Sequence, residues 1–405
     1  MKDTELFQMA IGLTPPWIVV SYEFDPSEDR IDVEIDFPPG STFHCPECNA
    51  EGCKAHDTER KSWRHLNFFQ YKAYLHARVP RVHCGSCGVK RAKVPWARPG
   101  SGFTLLFEAM VLVLARQMPV RAMSRIVKEH DTRLWRVLDH YVQEIRKEAD
   151  FSSVTEVGVD ETSSKRGHNY VTLFVDLEGP KAIFATEGKD ASTLERFKED
   201  LESHKGNANS IEEICCDMAP AFITGTEKNF PHAQITFDKF HVLKILNEAV
   251  DEVRRQEQRL VPELKKTRYI WLKNPRNLKP YQSTILEELN VKKLNLKTVR
   301  AYHIRLNFQE LWNQTSLDAE PFLKKWYFWA THSRLEPIKE AAYTIKRHWD
   351  GVLRWFKSKI NNGILEGINS LVQAAKAKAR GYRTTKNLIT MIYLIAGKLN
   401  FNLPT

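Results

Sequence analysis

The sequence lacks an apolar run long enough to cross a membrane. Its longest apolar runs lie at 103–115, interrupted by Glu108, and at 388–397, and both are shorter than the roughly 20 residues of a transmembrane helix. The first residues, MKDTELFQM, carry acidic side chains where a signal peptide has basic residues followed by an apolar stretch. These two absences argue against a membrane or secreted protein and predict a cytoplasmic one.

The 405 residues also lack an internal repeat and a low-complexity tract. With 42% hydrophobic and 27% charged residues, the composition is that of an ordinary globular protein rather than a disordered chain. A chain of this length exceeds the usual size of one domain and can bury a core that needs no disulfide bonds. We therefore expect several domains.

Charge is distributed unevenly along the chain, whose 60 Lys and Arg against 50 Asp and Glu give a net charge of +10. Residues 1–40 hold 9 acids and 2 bases, residues 54–98 hold 11 bases and 2 acids, and no acid follows Glu366. A solvated face can explain any single basic stretch, but several together favour a nucleic-acid partner. In the C-terminal stretch we expect four side chains to contact DNA: Lys376, Lys378, Arg380 and Arg383.

Seven cysteines include two CxxC pairs. Four thiolates on two tight turns suit a closed tetrahedral zinc site, in which no coordination position is left for chemistry and the ion is structural. In a chain without an export signal, this spacing favours metal binding over disulfide bonds. The predicted ligands are Cys45, Cys48, Cys84 and Cys87, and Cys53, His44 and His83 lie near enough in sequence to replace one of them.

Helical periodicity over 104–117, 120–129 and 132–147 predicts three helices after this module. The short turn before the third helix, with Thr132 as a possible N-cap, fits a helix-turn-helix. Four apolar side chains of the third helix are expected to face inward: Leu134, Leu138, Tyr141 and Ile145. Arg133, Arg136 and His140 then point outward, and in this motif the later helix enters the major groove. We predict that Arg133 and Arg136 bind DNA.

Strand patterns appear in two parts of the chain. Alternating apolar residues within 17–37 indicate an edge hairpin. A second group of β-rich runs lies at 154–160, 169–176, 181–186, 211–217 and 234–238, with helical stretches at 191–203 and 219–229. Residues 241–355 show no convincing strand. This order predicts a mixed α/β sheet interrupted by an inserted helical domain.

Three carboxylates stand where this α/β unit could build a reaction site. Asp160 ends the first strand of the second group, Asp217 ends the fourth, and Glu366 opens a helix. We expect that helix to bury one face, made of Ile368, Leu371, Val372 and Ala375, and to show the opposite face to a cleft: Glu366, Ser370, Gln373 and Arg380. Carboxylates from three elements are what two hard cations of the Mg²⁺ type require, although an acid of this kind taken alone is more often a strand-end cap or a surface charge.

Four segments in the second half of the chain carry motifs that are long enough to be specific. The longest is CDMAPAFITGTEKNFPHAQITFDKFHVLKILNEAVDEVRR, which begins at Cys216. The others are LKNPRNL at 272–278, NLKTVRAY at 295–302 and LEGINSLVQAAKAKARGYRTTKNL at 365–388. These segments resemble bacterial insertion-sequence transposases of the L-three type, and together with the paired cysteines the resemblance covers nearly the whole chain.

The resemblance implies a zinc-binding N-terminus and an RNase H-like catalytic domain interrupted by a helical insertion before its final helix. By position, Asp160, Asp217 and Glu366 resemble the DDE triad, which would hold two Mg²⁺ or Mn²⁺ ions. Asp238 and His241, in FDKFHV, resemble a further polar signature and are expected to support the triad or face DNA.

The implied function is a DNA transposase that binds the terminal inverted repeats of its own element, cleaves the ends and joins the 3′-hydroxyls to target DNA. Because two ends must be held together, we expect a homodimer or a larger assembly at the bacterial nucleoid. Two alternatives remain: a nuclease on the same fold that recognises DNA structure, and a non-catalytic zinc-dependent regulator.

The sequence accordingly divides into six parts. These are an acidic segment with a hairpin at 1–40, a zinc module at 41–100, a helix-turn-helix at 101–150, the first part of the catalytic core at 151–245, a helical insertion at 246–355 and the final core helices at 356–405.

Overall fold

The structure, a computed structural model, describes residues 3–165, 167, 169–292, 296–360 and 363–401. The chain folds into two compact units. Unit 1 comprises Met1–Gln143 with Asn400–Thr405, and unit 2 comprises Glu144–Leu399. No helix in the described ranges combines the length and the hydropathy that crossing a bilayer requires.

Unit 1 begins with a sheet and ends with three helices. Its elements are α1 (Asp3–Ile11), β1 (Ile18–Asp25), β2 (Arg30–Asp36), β3 (Thr42–Phe43), β4 (Cys53–Arg64), β5 (Lys72–Cys84), β6 (Gly88–Arg91), α2 (Leu105–Gln117), α3 (Val120–Val127) and α4 (Asp131–Lys147), which continues into unit 2. The strand order is β1-β2-β5-β4-β3, and β6 also pairs with β5.

The predicted hairpin is present, and it belongs to the same sheet as the zinc module. β1 and β2 pair antiparallel, while β2 pairs parallel with β5. Ile31, Val33 and Ile35 alternate into a core that they share with Trp63 and Trp96. Residues 1–40 and 41–100, which the sequence separated, therefore fold around one hydrophobic core.

The outward side of β2 explains the acidity of the N-terminal segment. Its carboxylates contact basic side chains of β5 and β4: Asp32 lies 2.5 Å from His76 Nε2, Asp36 lies 2.7 Å from Arg78, and Glu34 pairs with Arg60, one strand further across the sheet. Across the sheet, Asp57 pairs with Arg81 and Glu59 with Arg91. Much of the basic charge of 54–98 is thus matched by carboxylates within the unit.

The three helices follow the predicted segments, with one correction at the start of α4. The helix begins at Asp131, so Thr132 lies inside its first turn and is not the N-cap. Instead, the Thr132 N–H donates a hydrogen bond to His130 Nδ1 at 3.3 Å. Leu134 and Leu138 are buried as expected, but Tyr141 and Ile145 are only half-buried, and Val137 and Val142 are buried beside the two leucines.

Glu108 interrupts the apolar run of α2 because it is the centre of a buried polar cluster. Its carboxylate is fully buried and accepts hydrogen bonds from Arg98, from Ser101 at 2.7 Å and from Tyr141 at 2.9 Å. Burial, together with the negative charge of Glu108, raises the pKa of Tyr141 well above its ordinary value. The cluster ties α2 to α4 and to the loop before α2.

Replacing Glu108 with Ala should destabilise unit 1 by about 3–5 kcal/mol, because the substitution leaves Arg98 without its carboxylate and removes the acceptor from two half-buried hydroxyls. Chemical denaturation followed by circular dichroism measures the loss. Glu28→Ala, which removes an exposed carboxylate from the β1–β2 turn, is the matched control and should change the free energy of unfolding little. Equal behaviour of the two variants would show that the cluster contributes no net stability.

Unit 2 contains a second sheet and most of the helices. Its elements after α4 are β7 (Glu156–Lys165), β8 (Asn169–Asp176), β9 (Lys181–Glu187), α5 (Ser192–Ser203), β10 (Glu213–Cys216), α6 (Pro220–Asn229), β11 (Gln234–Phe237), α7 (Lys239–Glu257), α8 (Arg268–Trp271), α9 (Pro280–Lys292), α10 (Lys297–Gln309), α11 (Ala319–Thr331), α12 (Glu336–Arg347), α13 (Trp349–Ser358), α14 (Gly363–Ala379) and α15 (Thr385–Ala396).

The sheet of unit 2 has the order β11-β10-β7-β8-β9. β7, β8 and β9 form an antiparallel meander, while β10 pairs parallel with both β7 and β11. The five predicted strands and both predicted helices between them are present. The mixed α/β class expected for an RNase H-like sheet with a helical interruption is confirmed.

The helices between β11 and α14 share one core with the sheet. Within it, Trp271 and Trp326 are among the largest fully buried side chains. α13 packs directly on β11, where a Cβ at Gly351 would lie 2.3 Å from the Phe237 ring. Only glycine permits this approach, and α13 thereby becomes part of the layer that covers the sheet.

Candidate active site and zinc cluster

Three aspartates lie at the same level of three neighbouring parallel strands. Asp217 and Asp238 directly follow β10 and β11, but the prediction that Asp160 ends its strand was wrong, because β7 continues to Lys165 and Asp160 lies inside it. Cys215 of β10 pairs with Gly158 of β7, and Asp217 and Asp160 each lie two residues further along. In the next pair of strands, Cys216 is opposite Phe237 and Asp238 follows directly, with its N–H donating to Cys216 O at 3.2 Å. Parallel pairing therefore aligns Asp160, Asp217 and Asp238 at one edge of the sheet.

Asp160 is held in a largely desolvated position. Its Oδ1 accepts the Glu161 N–H at 2.7 Å, and its Oδ2 accepts the side-chain amide of Asn369 at 2.5 Å. Burial raises the pKa of Asp160 to about 6, an effect to which the negative charge of Asp217 adds and which His241 opposes. A carboxylate in this setting gains free energy from a nearby cation.

Asp238 and His241 form a pair next to these acids. Asp238 is only 4% exposed and caps α7, since its carboxylate accepts the Phe240 N–H at 3.2 Å. His241 Nδ1 lies 3.2 Å from the other Asp238 oxygen. This contact raises the pKa of His241, and the charges of Asp160 and Asp217 raise it further. The sequence placed both residues in supporting roles, and they lie beside Asp160 and Asp217.

Glu366 reaches the same region from the first turn of α14. Partial burial raises its pKa, and among charged neighbours Asp238 raises it while His241 and Lys239 lower it. The carboxylate thus lies within electrostatic range of the Asp238–His241 pair. Glu366 itself is exposed, which leaves its carboxylate accessible from solvent.

The buried face of α14 differs from the expected one at two positions. Ile368 and Val372 are buried as predicted, but Leu371 is exposed and Ala375 is only half-buried. Leu365 is the residue that completes the apolar face, where its Cδ2 lies 3.3 Å from the position of a Cβ at Gly158. The helix is therefore rotated about its axis relative to the prediction, and the face that carries Leu365 is turned toward β7.

That rotation brings polar residues of α14 along β7. Besides the Asn369–Asp160 contact, the Gln373 amide donates to Thr162, and Lys376 donates to Ser163 O at 2.5 Å. Lys376 is thus engaged within unit 2, while Lys378, Arg380 and Arg383 are exposed. The sequence did not identify Asn369, although its spacing of three from Glu366 places it on the same helix face.

Asp160, Asp217 and Asp238 are aligned by strand pairing and Glu366 lies near Asp238, but these acids do not meet at the distances of a single ion. Within the described residues, only the cysteine cluster has three or more ligand atoms that all lie within 4.8 Å of one another. Mutual repulsion of carboxylates opposes closer approach, and a divalent cation would offset it. The oxygen-only donor set fits Mg²⁺ or Mn²⁺ better than a thiolate-binding metal.

Asn369→Ala should slow DNA strand cleavage by about 10–100-fold, because it frees the Asp160 carboxylate to rotate away from its orientation. The divalent cation concentration that gives half-maximal cleavage should rise at the same time, whereas affinity for DNA should stay the same. Ser370→Ala, at the next and exposed position of α14, is the control. A loss of rate without any change in cation dependence would assign Asn369 a purely structural role.

The predicted zinc ligands come together in unit 1. The Sγ atoms of Cys45, Cys48, Cys84 and Cys87 all lie within 4.8 Å of one another, and the Cys48 and Cys84 sulfurs are 3.5 Å apart. A tetrahedral ion with 2.3 Å bonds to sulfur requires about 3.8 Å between sulfurs. Cys53, His44 and His83 do not belong to this group, so an all-cysteine set fits zinc.

Both turns that carry the ligands have local reasons to form. In the first, Asn49 takes a positive φ of 60° and its N–H donates to Cys45 O at 3.0 Å. In the second, Gly88 has a φ of 74° and starts β6. The N–H groups of Ser86 and Cys87 lower the pKa of Cys84 to about 6, which favours the thiolate that binds metal.

The two arginines predicted to bind DNA differ in their surroundings. The Arg133 guanidinium lies 4.3 Å from the centre of the Phe103 ring and also pairs with Glu129. Arg136, one turn later on α4, is exposed. Arg133 therefore has a structural role within unit 1, whereas Arg136 is presented to solvent.

Three models of known protein families match consecutive parts of this chain. A transposase family model with a DDE domain matches residues 157–392. The helix-turn-helix domain of transposase family ISL3 matches 92–142, and the zinc finger of transposases IS204, IS1001, IS1096 and IS1165 matches 41–87. The three models fall on the catalytic sheet with its helices, on α2–α4 and on the cysteine cluster.

Two similar proteins are transposases of insertion sequences. The transposase for element IS1557 of Mycobacterium tuberculosis is 26% identical across 97% of this chain and 96% of its own length. The transposase for element IS1001 of Bordetella parapertussis is 28% identical across 85% of this chain and 87% of its own length.

A zinc finger, a helix-turn-helix and a DDE domain in one chain define a DNA transposase, an enzyme that cuts and transfers DNA. The chain belongs to the ISL3 family of transposases, the L-three type that its sequence resembles.

Proposed function

We propose that this transposase binds the terminal inverted repeats of its own insertion sequence, cleaves the phosphodiester bond at each end and joins the freed 3′-hydroxyl to target DNA. The observation that carries the proposal is the alignment of Asp160 and Asp217 on adjacent parallel strands, with Glu366 on the helix that packs along β7. The names of the two relatives, transposases for specified elements, support the insertion-sequence substrate.

The chemistry needs no nucleophile from the protein. In the first step a water oxygen attacks the phosphorus, and the bond to the 3′-oxygen breaks to leave a 3′-hydroxyl. In the second, that hydroxyl attacks a phosphorus of target DNA, and a target 3′-oxygen leaves. Two divalent cations held by Asp160, Asp217 and Glu366 would activate the attacking oxygen and stabilise the leaving one.

The remaining residues of the site keep the carboxylates in place. Asn369 holds one oxygen of Asp160, and the Glu161 N–H holds the other. The buried Asp238 raises the pKa of His241, which when protonated would place a positive charge near Asp160 and Asp217. This charge offsets part of the repulsion between the carboxylates and attracts the phosphate of the substrate.

We assign recognition of the element ends to unit 1, with α4 in the major groove. A helix-turn-helix reads bases through exposed side chains near the start of its second helix, and phosphate contacts make the affinity depend on salt. Two ends must be joined in one reaction, so the active form is proposed to be a homodimer or a larger assembly on paired ends.

Arg136→Ala should weaken binding to element ends by about 5–150-fold and binding to random DNA by much less, as expected for a side chain that contacts a base. Arg133→Ala should also weaken end binding, but it should lower the melting temperature as well, because it removes the Phe103 and Glu129 contacts. Fluorescence anisotropy with both DNAs and a thermal melt measure these effects. Arg125→Ala, at an exposed position of α3, is the control, and equal losses on both DNAs would reduce Arg136 to a phosphate contact.

Strand transfer is the deciding experiment for the proposed function. Labelled duplexes that carry the inverted repeats flanking the gene are incubated with the protein, Mg²⁺ or Mn²⁺ and a supercoiled target plasmid. The proposal expects label covalently joined to the plasmid. Cleaved ends without joining would identify a nuclease, and binding without cleavage would identify a DNA-binding regulator.

A further inference from the structure

A cavity in the helical part of unit 2 is not used by the catalytic site. It has a volume of about 870 Å³ and lies among α10, α11 and the segments that follow each of them. Its ionisable and aromatic lining consists of two arginines, two histidines, one glutamate and one tryptophan: Arg300, Arg334, His303, His332, Glu310 and Trp329. The volume lies in the range of pockets that hold small organic molecules or a single nucleotide.

The lining carries an excess of positive charge. Arg300 and Arg334 are exposed, and neither has an ion-pair partner in the part of the chain that the structure describes. Glu310, the acid at the edge, already accepts a hydrogen bond from Asn313 at 2.8 Å. His332 is fixed by its Nδ1 contact with Phe328 O at 2.7 Å and by stacking on the Phe328 ring. Two unpaired guanidiniums in a concave wall favour an anionic ligand.

Trp329 gives this wall a flat apolar surface. Trp326, one turn earlier on α11, is buried, and its indole N–H donates to Ile304 O at 2.9 Å. Trp329 is 43% exposed instead, at the cavity. Trp326 therefore supplies the packing of α11, while the Trp329 ring remains available to a ligand. An exposed indole beside guanidinium groups is the combination on which nucleic-acid bases stack while their phosphates are held.

We propose that this cavity binds one unpaired nucleotide of the DNA substrate, with its base stacked on Trp329 and its phosphates held by Arg300 and Arg334. A base can offer its face to an indole only when it has left the duplex stack, and a cavity of this size excludes a double helix. The inference deepens the proposed function by naming a DNA contact that the helical part of unit 2 makes.

Affinity for single strands tests the proposal on the full-length protein. The two probes are a fluorescein-labelled 12-nucleotide oligo(dT) and an abasic strand of the same length, which keeps the phosphates and lacks the bases. Trp329→Ala should weaken binding of oligo(dT) by about 5–150-fold, the value of one base–aromatic stack, and leave the abasic strand unchanged. Trp329→Phe should keep most of the affinity. Arg300→Ala and Arg334→Ala should weaken both probes and flatten the salt dependence.

A photocross-link locates the contact. An element-end duplex with one unpaired 5-iodo-deoxyuridine should cross-link on irradiation to the peptide that contains Trp329. Tyr343→Ala removes another partly exposed aromatic, one that does not line the cavity, and should leave all of these results unchanged. The proposal is overturned if Trp329→Ala weakens both strands equally or neither, or if the cross-link maps only to other peptides. A shift from dimer to monomer by Trp329→Ala, without base-dependent loss, would assign the surface to a protein interface instead.

These measurements are separable from those of the proposed function. Nucleotide capture requires no bond cleavage, so Asp160→Asn should bind both single strands as the unaltered protein does. Failure of strand transfer would leave the base-dependent affinity intact, and loss of that affinity would leave the carboxylate site intact.

Discussion

Asp160→Asn, Asp217→Asn and Glu366→Gln should each reduce cleavage of element ends by at least about 10²–10³-fold, while binding to the same ends stays nearly unchanged. Each substitution keeps the size of the side chain and removes the negative charge that a divalent cation requires. Because like charges at this edge of the sheet repel one another, removing one should not destabilise the fold. Gel analysis of cleaved, labelled ends and anisotropy of the intact ends measure the two properties separately.

Glu202→Gln is the control for these variants, because Glu202 is an exposed acid on α5; it should cleave normally. The Glu366 assignment would be overturned by a Glu366→Gln protein that still cuts. Glu161 would then be the next acid to test, because it directly follows Asp160 in β7. Asp238 is less suitable because it is buried and caps α7, so Asp238→Asn should lower stability together with activity.

Loss of zinc is the second change that should have a large effect. The property affected should be DNA binding rather than strand cleavage. Cys84→Ser removes a ligand at the end of β5, the central strand that pairs with β2, β4 and β6. Zinc binding in small fingers contributes about 10–16 kcal/mol, comparable with the whole stability of a domain. We expect the variant to lose its stoichiometric zinc and about 100-fold or more in affinity for element ends.

Metal analysis of the purified protein and anisotropy at fixed salt measure this prediction. Cys53→Ser is the matched control, because Cys53 is a buried cysteine of the same module outside the four-sulfur cluster; it should retain zinc. If Cys53→Ser loses the metal and Cys84→Ser keeps it, the ligand set is wrong. If Cys84→Ser loses zinc but binds ends normally, the cluster does not support DNA recognition.

Local features of the sequence were sufficient for most of the elements. Alternation of Ile31, Val33 and Ile35 predicted a strand, and the helical period over 104–147 predicted three helices, because burial of one face depends only on spacing along the chain. The CxxC pairs predicted the zinc ligands for a related reason. Each pair sits on one tight turn, so spacing alone brings its two sulfurs together.

Tertiary structure decided what depends on partners distant in sequence. Only strand pairing shows that the acidic hairpin pairs with Arg60 and Arg78 of the zinc module. It also shows that Asp238 follows β11 at the level of Asp160 and Asp217. The prediction of which face of α14 is buried was wrong at Leu371, because a helical period does not distinguish between faces of similar apolar content. The close approach of Leu365 to Gly158 identifies the buried face. The resemblance located the acids along the chain. The role of Asn369 depends on its contact with Asp160, more than a hundred residues away in sequence. The role of Trp329 depends on its ring remaining exposed at the cavity. The sequence by itself therefore determined the elements, the cysteine ligands and the candidate acids, whereas the register of the sheet and the packing of the helices determined their neighbours.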